Sequence, residues 1–297
     1  MADRNVTVFT FNRNEMDAVN ALLDEYMDGS RGGPTVWRST GVGTYGVVGT
    51  LKNLATAEIR HKPLLAQGNV ISGAELARTA YEDPKARDPA ADVYIYYACC
   101  GALDATLIGE AFRVSRVQYL SLGSVKPRCK FGETAKLKNK WFVRTEPTYQ
   151  QPLSSIELPT GTTPAPAWLR GFTIPPGFVL ATDKVIEVLP SKQSPRLKGR
   201  DSQGPKYPDE EWTYSKALAQ CRDYCQDPGS GPILIEMETF GVASIADAMG
   251  LLDRVLVIRV VTDGLLNKSK DQGGKQREIL FKQRDVLHRA LATIIGF

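Results

Sequence analysis

Two periodicities alternate along this chain. Residues 5–12, NVTVFTFN, form a short run of β-branched and aromatic side chains, which predicts a strand. Residues 13–27 place Met16, Val19, Leu22, Leu23 and Met27 at helical spacing, which predicts an amphipathic helix. Residues 35–53 return to strand formers broken by glycines, the pattern of a β-hairpin region. A helix is expected over 72–83, a buried strand over 93–97, a strand within 108–123 and another over 177–188. A helix is also expected over 213–227, then a strand over 233–235, a helix over 239–249 and a strand over 255–261. Residues 275–297 read as one amphipathic helix that docks on the sheet. The alternation predicts an α/β fold: a mixed, largely parallel, twisted sheet flanked by helices. No composition break separates two cores, so residues 1–297 are expected to form a single domain. Two stretches interrupt the pattern and read as loop insertions. Residues 126–178 are basic and then rich in Pro, Thr and Gly, and residues 190–212 are polar throughout.

Composition narrows the class. The chain has 297 residues, 42% of them hydrophobic, enough for a sizeable core and too apolar for overall disorder. A net charge of +4 and a pI of about 8.7 are too weakly basic to argue for a nucleic-acid partner. The N-terminus shows no signal-peptide hydrophobic region and no apolar run approaches membrane-spanning length, so a cytoplasmic protein without a membrane partner is expected. The five cysteines, Cys99, Cys100, Cys129, Cys221 and Cys225, lack the spacing of a secreted disulfide framework and read as free thiols. Cys221 and Cys225 would share a helix face, but His61 and His288 are the only histidines, so no metal site is expected. No sequence signal calls for a cofactor.

The chemistry concentrates where apolar runs end in acids. The run before Glu236 and Glu238 and the run before Asp263 each end in carboxylates, with residues 239–249 between them. Read as a parallel crossover, the two strands point the same way and bring these acids to one sheet edge. The carboxyl ends of strands are where open α/β sheets bind ligands. The competing reading makes them first-turn acids that stabilise a helix N-terminus. The first strand likewise runs into polar residues 12–15, and the strand over 93–97 runs into Ala98, Cys99, Cys100 and Gly101, small enough for a flat ligand to approach the backbone.

These residues carry a resemblance. The segment IEMETFGVASIADA followed by VLVIRVVTD resembles the signature of the nucleoside phosphorylase and nucleosidase superfamily. There a MEME or VEME stretch opens a helix and a strand reading R-x-x-S-D follows. In the same order, VTVFTFNRNEMDAV resembles the family's first strand and helix, AQGNVISGAELA its glycine-containing turn, and DVYIYYACCGALDATLIGEAFRV its D-V-I-I-N-x-G-x-A-G-G-L block. The segment GFVLATDKVIEV resembles the strand that covers the base and brings Val185 to it. The closest likeness in motif is to the methylthioadenosine/adenosylhomocysteine nucleosidases.

The resemblance implies roles by position. Glu238 matches the carboxylate that grips the ribose hydroxyls, Met237 the residue packed on the sugar, and Glu236 the first acid of the motif. Asp263 matches the acid that hydrogen-bonds or protonates the purine. Glu15 matches the acid that activates water in the hydrolytic branch. Cys99, Cys100 and Gly101 fall where small residues contact the base. The resemblance also implies a homo-oligomer whose site a neighbour's residues complete. Two departures stand out: G-x-A-G-G becomes Ala98-Cys99-Cys100-Gly101-Ala102, whose larger residues would tighten the base pocket or block it, and the Ser of S-D is Thr262.

The residue types suit this chemistry on their own terms. Cleaving an N-glycosidic bond passes through a sugar with oxocarbenium character, which nearby carboxylates stabilise. A purine leaves poorly as an anion, so an acid near it helps. Arg13 lies near the first strand end as a candidate phosphate ligand, but Glu15 two residues on would repel a phosphate dianion. Hydrolysis of a purine nucleoside or nucleotide, releasing free base, is therefore the expected activity. A phosphate-dependent phosphorylase and a nucleotide sensor without efficient turnover are the alternatives. The basic run Lys126, Arg128, Lys130, Lys136, Lys138 and Lys140 is either solvated surface or a holder for a substrate 5′-phosphate.

Overall fold

A computed structural model of the chain arranges ten strands in one sheet, with five α-helices among the described residues packed on its two faces. The structure describes residues 5–27, 35–43, 46–53, 58–63, 70–81, 92–102, 104–120, 155–159, 166, 169, 172–182, 231–264 and 272–295. The order along the chain is β1 (Asn5–Thr10), α1 (Arg13–Met27), β2 (Thr35–Gly43), β3 (Gly46–Asn53), β4 (Glu58–Pro63), α2 (Val70–Tyr81), β5 (Val93–Ala102) and β6 (Ala111–Leu120). There follow β7 (Ser155–Glu157), β8 (Pro176–Thr182), β9 (Ile233–Glu236), α3 (Thr239–Ala248), β10 (Val255–Asp263), α4 (Gln272–Lys282) and α5 (Arg284–Ile295). This is the mixed α/β sheet flanked by helices that the alternating pattern predicts.

Strand side chains alternate between faces, so each apolar strand feeds two cores. On one face Phe9, Tyr96, Val257 and Val261 pack against Ala77 of α2 and Val242 and Ala243 of α3. On the other, Val8, Ile95, Ile258 and Val260 pack against Leu22 and Leu23 of α1 and Leu287 and Leu291 of α5. Strands buried on both faces read as nearly continuous apolar runs, as VLVIRVV in β10 does.

The length of β5 organises the site. One edge of β5 pairs in parallel with β10 from Tyr94 to Gly101. The other edge pairs in parallel with β1 over Val93–Tyr96 and then antiparallel with β9 at Gly101 and Ala102. Between β1 and β9 that edge has a gap in its strand pairing at Tyr97, Ala98, Cys99 and Cys100, and backbone groups there must find other partners.

Three expectations change. First, β9 and β10 are not a parallel crossover pair: β9 runs antiparallel to β5 while β10 runs parallel to it, so the two are opposed and not adjacent. A strand–helix–strand pattern carries no record of which distant strand each partner meets, and here both meet β5. Second, the C-terminal stretch is two helices, broken at Gln283, whose side chain donates to the Gly109 carbonyl while Arg284 reaches Glu25 on α1. Third, the 126–178 stretch is not all loop: Ser155–Glu157 pairs antiparallel with β6, and Leu158, Leu169 and Ile174 are buried. The hairpin over 35–53 forms as β2 and β3, with a register shift between Ser39 and Gly41. The helix expected over 213–227, Cys221, Cys225, Cys129 and the basic run over 126–140 lie outside the described residues.

Candidate active site

The gap in β5 pairing is filled by side chains. Just after β1, Asn12 caps α1 and Glu15 sits three residues on, the sequence pattern of a capping box. The pair is reciprocal: the Glu15 amide donates to Asn12 Oδ1 at 3.0 Å and the Asn12 amide donates to Glu15 Oε2 at 3.1 Å. Glu15 reaches further than a cap needs. Its carboxylate also accepts from the Phe11 amide at 2.9 Å, from Asn12 Nδ2 at 2.6 Å and, across the gap, from the Cys99 amide at 3.0 Å. Glu15 thus ties the end of β1 to β5 and is 2% exposed. Burial raises its pKa, against the pull of these donors and of Arg259.

Arg259 is the other occupant of the gap, and it is wholly buried in the middle of β10. Its register partner on β5 is Ala98, small enough to leave room for a guanidinium, which lies over the Tyr96 ring at 4.4 Å. The guanidinium is consumed by protein partners. Nε donates to Thr239 Oγ1 at 3.0 Å, one terminal nitrogen donates to the Cys99 carbonyl at 2.9 Å, and the other pairs with Glu236 and lies 3.8 Å from Glu238 Oε2. Burial works to lower its pKa, but Glu236, Tyr96 and Glu238 outweigh it and raise the value.

Glu236 closes β9 and caps α3. Its carboxylate accepts from the Glu238 amide at 2.7 Å and from the Thr239 amide at 2.9 Å, so the helix dipole and Arg259 share one acid. Glu238, on the turn before α3, has a side chain that is 17% exposed. Its pKa is pushed up to about 8, first by burial, then by Glu236, with Arg259 opposing. Met237 between them is half-buried. Against the Glu238 turn lies α2, whose Gly73 comes so close that an added Cβ would fall 2.9 Å from both Cβ and the carbonyl oxygen of Glu238.

The structure therefore gathers Glu15, Glu236 and Glu238 around Arg259. Asp263 lies four residues further along β10, half-buried, opposite Gly101 after a register shift past Val261. It still belongs to the same neighbourhood: the Cys100 thiol is driven up by burial first, with Arg259 opposing and Glu236, Asp263 and Glu15 adding to the rise. Cys99 is half-buried, and its sulfur accepts from Gln276 Nε2 of α4 at 2.6 Å. Gly101 is buried between β9 and β10, whereas Arg13 is exposed on the first turn of α1. Val185 lies outside the described residues. Among the described residues no group of His, Cys, Asp and Glu is arranged to hold a metal ion, and no helix is long and apolar enough to cross a membrane.

Arg259, Thr239, Gln276 and Gly73 were not marked as site residues by sequence reasoning. A signal for Arg259 was present: one charge inside VLVIRVVTD must be buried with partners, because a lone ionised group in a strand core is costly. Thr239, Gln276 and Gly73 carry no comparable signal, since their partners are 20 to 177 residues away or on another helix.

No family model matches the chain, and no curated protein matches it in sequence. Solved structures do match in fold. The 5′-methylthioadenosine nucleosidase of Arabidopsis thaliana, in its apo form, has a TM-score of 0.56 and 13% identity over 100% of this chain and 98% of that one. The 5′-methylthioadenosine/S-adenosylhomocysteine nucleosidase of S. pneumoniae, bound to a transition-state inhibitor, has a TM-score of 0.56 and 14% identity over 99% of this chain and 100% of that one. The futalosine hydrolase of Helicobacter pylori strain 26695 has a TM-score of 0.54 and 10% identity over 99% of this chain and 97% of that one. These matches run the full length of both chains, and this chain therefore shares the fold of the solved methylthioadenosine nucleosidases and of the futalosine hydrolase.

Proposed function

We propose that the chain hydrolyses the N-glycosidic bond of a purine nucleoside or nucleotide and releases the free base. The observation that carries this reading is the cluster of Glu15, Glu236 and Glu238 around a single Arg259 whose guanidinium is already engaged by Thr239, Cys99 and Glu236. Such a site favours a sugar that develops positive charge. It disfavours a phosphate dianion, since like charges about 4 Å apart repel by about 4 kcal/mol at an effective dielectric of 20. The nucleosidase character of the fold neighbours agrees with water as the nucleophile.

In this reading Glu238, at the rim of the cluster, holds the ribose hydroxyls and, once it has given up its proton, offsets the oxocarbenium charge, with Met237 packing on the sugar. Asp263 donates to the departing base across the small residues Cys99, Cys100 and Gly101. Glu15 takes the proton of the attacking water. Its carboxylate is filled by four donor groups, three of them backbone amides, so the Asn12 side chain is the donor that would give way to water. Water attacks the anomeric carbon as the C–N bond breaks, and the products are free base and the sugar with a free anomeric hydroxyl. The whole chain acts as one catalytic unit.

Product identity tests the proposal. Adenosine and adenosine 5′-monophosphate are incubated with the protein in phosphate-free buffer, then with phosphate, and products are resolved by mass spectrometry. Adenine with ribose or ribose 5-phosphate is expected in both buffers. Strict dependence on phosphate, with a sugar 1-phosphate as product, would overturn hydrolysis and return Arg13 as a phosphate ligand.

A further inference from the structure

We infer that Gly73 is a positioning residue that fixes the Glu238 carboxylate by letting α2 rest directly on the backbone of the Glu238 turn. This rests on the reading of Glu238 as the ribose-binding carboxylate. Gly73 is in the first turns of α2, where glycine is about 1 kcal/mol less favourable than alanine, so its presence needs a reason in packing. The packing supplies one. A Cβ at Gly73 would lie 2.9 Å from Glu238 Cβ, 2.9 Å from its carbonyl oxygen and 3.0 Å from its Cα. None of these atoms is the movable end of a side chain.

The turn that Gly73 touches has little freedom to retreat. The Glu238 amide is held by the Glu236 carboxylate at 2.7 Å, and the Glu238 carbonyl accepts the Val242 amide at 3.0 Å to begin α3. Glu236 is in turn bound to the buried Arg259. The Glu238 backbone is thus clamped between Arg259-bound Glu236 on one side and α2 on the other. Its carboxyl lies 3.8 Å from Arg259, within electrostatic reach but outside a direct hydrogen bond, and shares a hydrogen bond with the Glu236 side chain. A methyl group at position 73 forces α2 and the Glu238 turn apart and misplaces the carboxylate. A misplacement of about 1 Å can cost about a hundredfold in rate.

The test separates local misplacement from general loosening by comparing a probe with ribose and a probe without it. Binding of adenine and of 9-deazaadenosine, an adenosine analogue whose C–C link hydrolysis cannot break, is measured by calorimetry for wild type, Gly73→Ala and the exposed-face control Glu75→Ala. Gly73→Ala is expected to weaken the adenosine analogue by about tenfold or more and to leave adenine within about twofold, with the control unchanged. Equal loss on both probes, or loss on neither, overturns the inference. A crystal structure of the Gly73→Ala protein reads the position directly: a Glu238 turn displaced from Arg259 supports the inference, and an unmoved turn with α2 pushed back overturns it. That structure decides the matter even if wild type binds no adenosine analogue, an outcome that would count against the proposed function instead. If Gly73→Ala does not fold, the Gly73→Ala, Glu238→Gly double variant removes one of the three close contacts, the Cβ at 2.9 Å, and gives the turn a glycine's backbone freedom to swing its carbonyl away. Recovery of folding is then expected, and its absence overturns the inference.

Discussion

Glu238 sits in an electrostatic conflict. It is mostly buried, beside Glu236, and only partly compensated by Arg259, so its carboxyl is held at about 8 against an ordinary value of 4.5. A folded pKa above the unfolded one means that the folded state binds the proton more tightly. Between about pH 4.5 and pH 8 the folded protein therefore carries more bound protons than the unfolded chain, and this group's contribution makes stability fall as pH rises. Glu238→Gln is neutral at every pH and removes that slope. Denaturant unfolding of the two proteins is expected to give similar stability at the acid end. Near pH 8 the variant is expected to be the more stable, on the order of 4 kcal/mol. Parallel curves for the two proteins would show that Glu238 is not strained by burial. The same variant is expected to lose turnover most at and above about pH 8, where Glu238 is ionised and an amide cannot offset a developing cation as a carboxylate does.

At the scale of elements, the junctions of β1 with α1 and of β9 with α3 do two jobs each. Asn12 and Glu15 cap α1, and Glu236 caps α3, while the same carboxylates bind β5 or Arg259. The helix-cap reading thus holds for Glu236, and the same carboxylate also binds Arg259. Asn12→Ala tests the coupling. It removes the N-cap acceptor and one of the donors to Glu15, at a cost of about 1 kcal/mol in stability. If Glu15 takes a proton from water, freeing that lone pair should change the acid limb of the pH–rate profile beyond what the stability loss explains. A variant with lowered melting temperature and an unchanged pH profile would reduce Glu15 to a structural tie.

At the scale of the whole molecule, the site is formed at the meeting of β1, β5, β9 and β10, with α2, α3 and α4 supplying the residues behind it. Glu238 and Met237 remain partly exposed, and the family resemblance implies a site that a neighbour's residues complete. A homo-oligomer is therefore expected. Sedimentation velocity across a range of protein concentrations should show a species larger than the 32.6 kDa chain, and specific activity should fall on dilution through its dissociation. A monomer with full specific activity at every concentration would mean that this chain completes its site alone.

The sequence by itself determined most of the elements and where acids fall at their ends. Periodicity marks β1, α1, the β2–β3 hairpin, β5, β8 and β10, because burial on one or two faces is written into local spacing. The ends of apolar runs mark Glu15, Glu236, Glu238 and Asp263. Tertiary structure alone decided how these pieces face one another. The direction of β9 depends on its pairing with Gly101 and Ala102 at the far end of β5, more than 130 residues earlier. The break between α4 and α5 accompanies a bond from Gln283 to Gly109, with no Pro or Gly to announce it. The partnership of Arg259 with Glu236 exists only once a four-residue strand lies antiparallel against a ten-residue one. Local spacing records which side of an element is buried; it holds no information about which distant backbone will fill a gap, and the charge at the centre of this site was placed by such a gap.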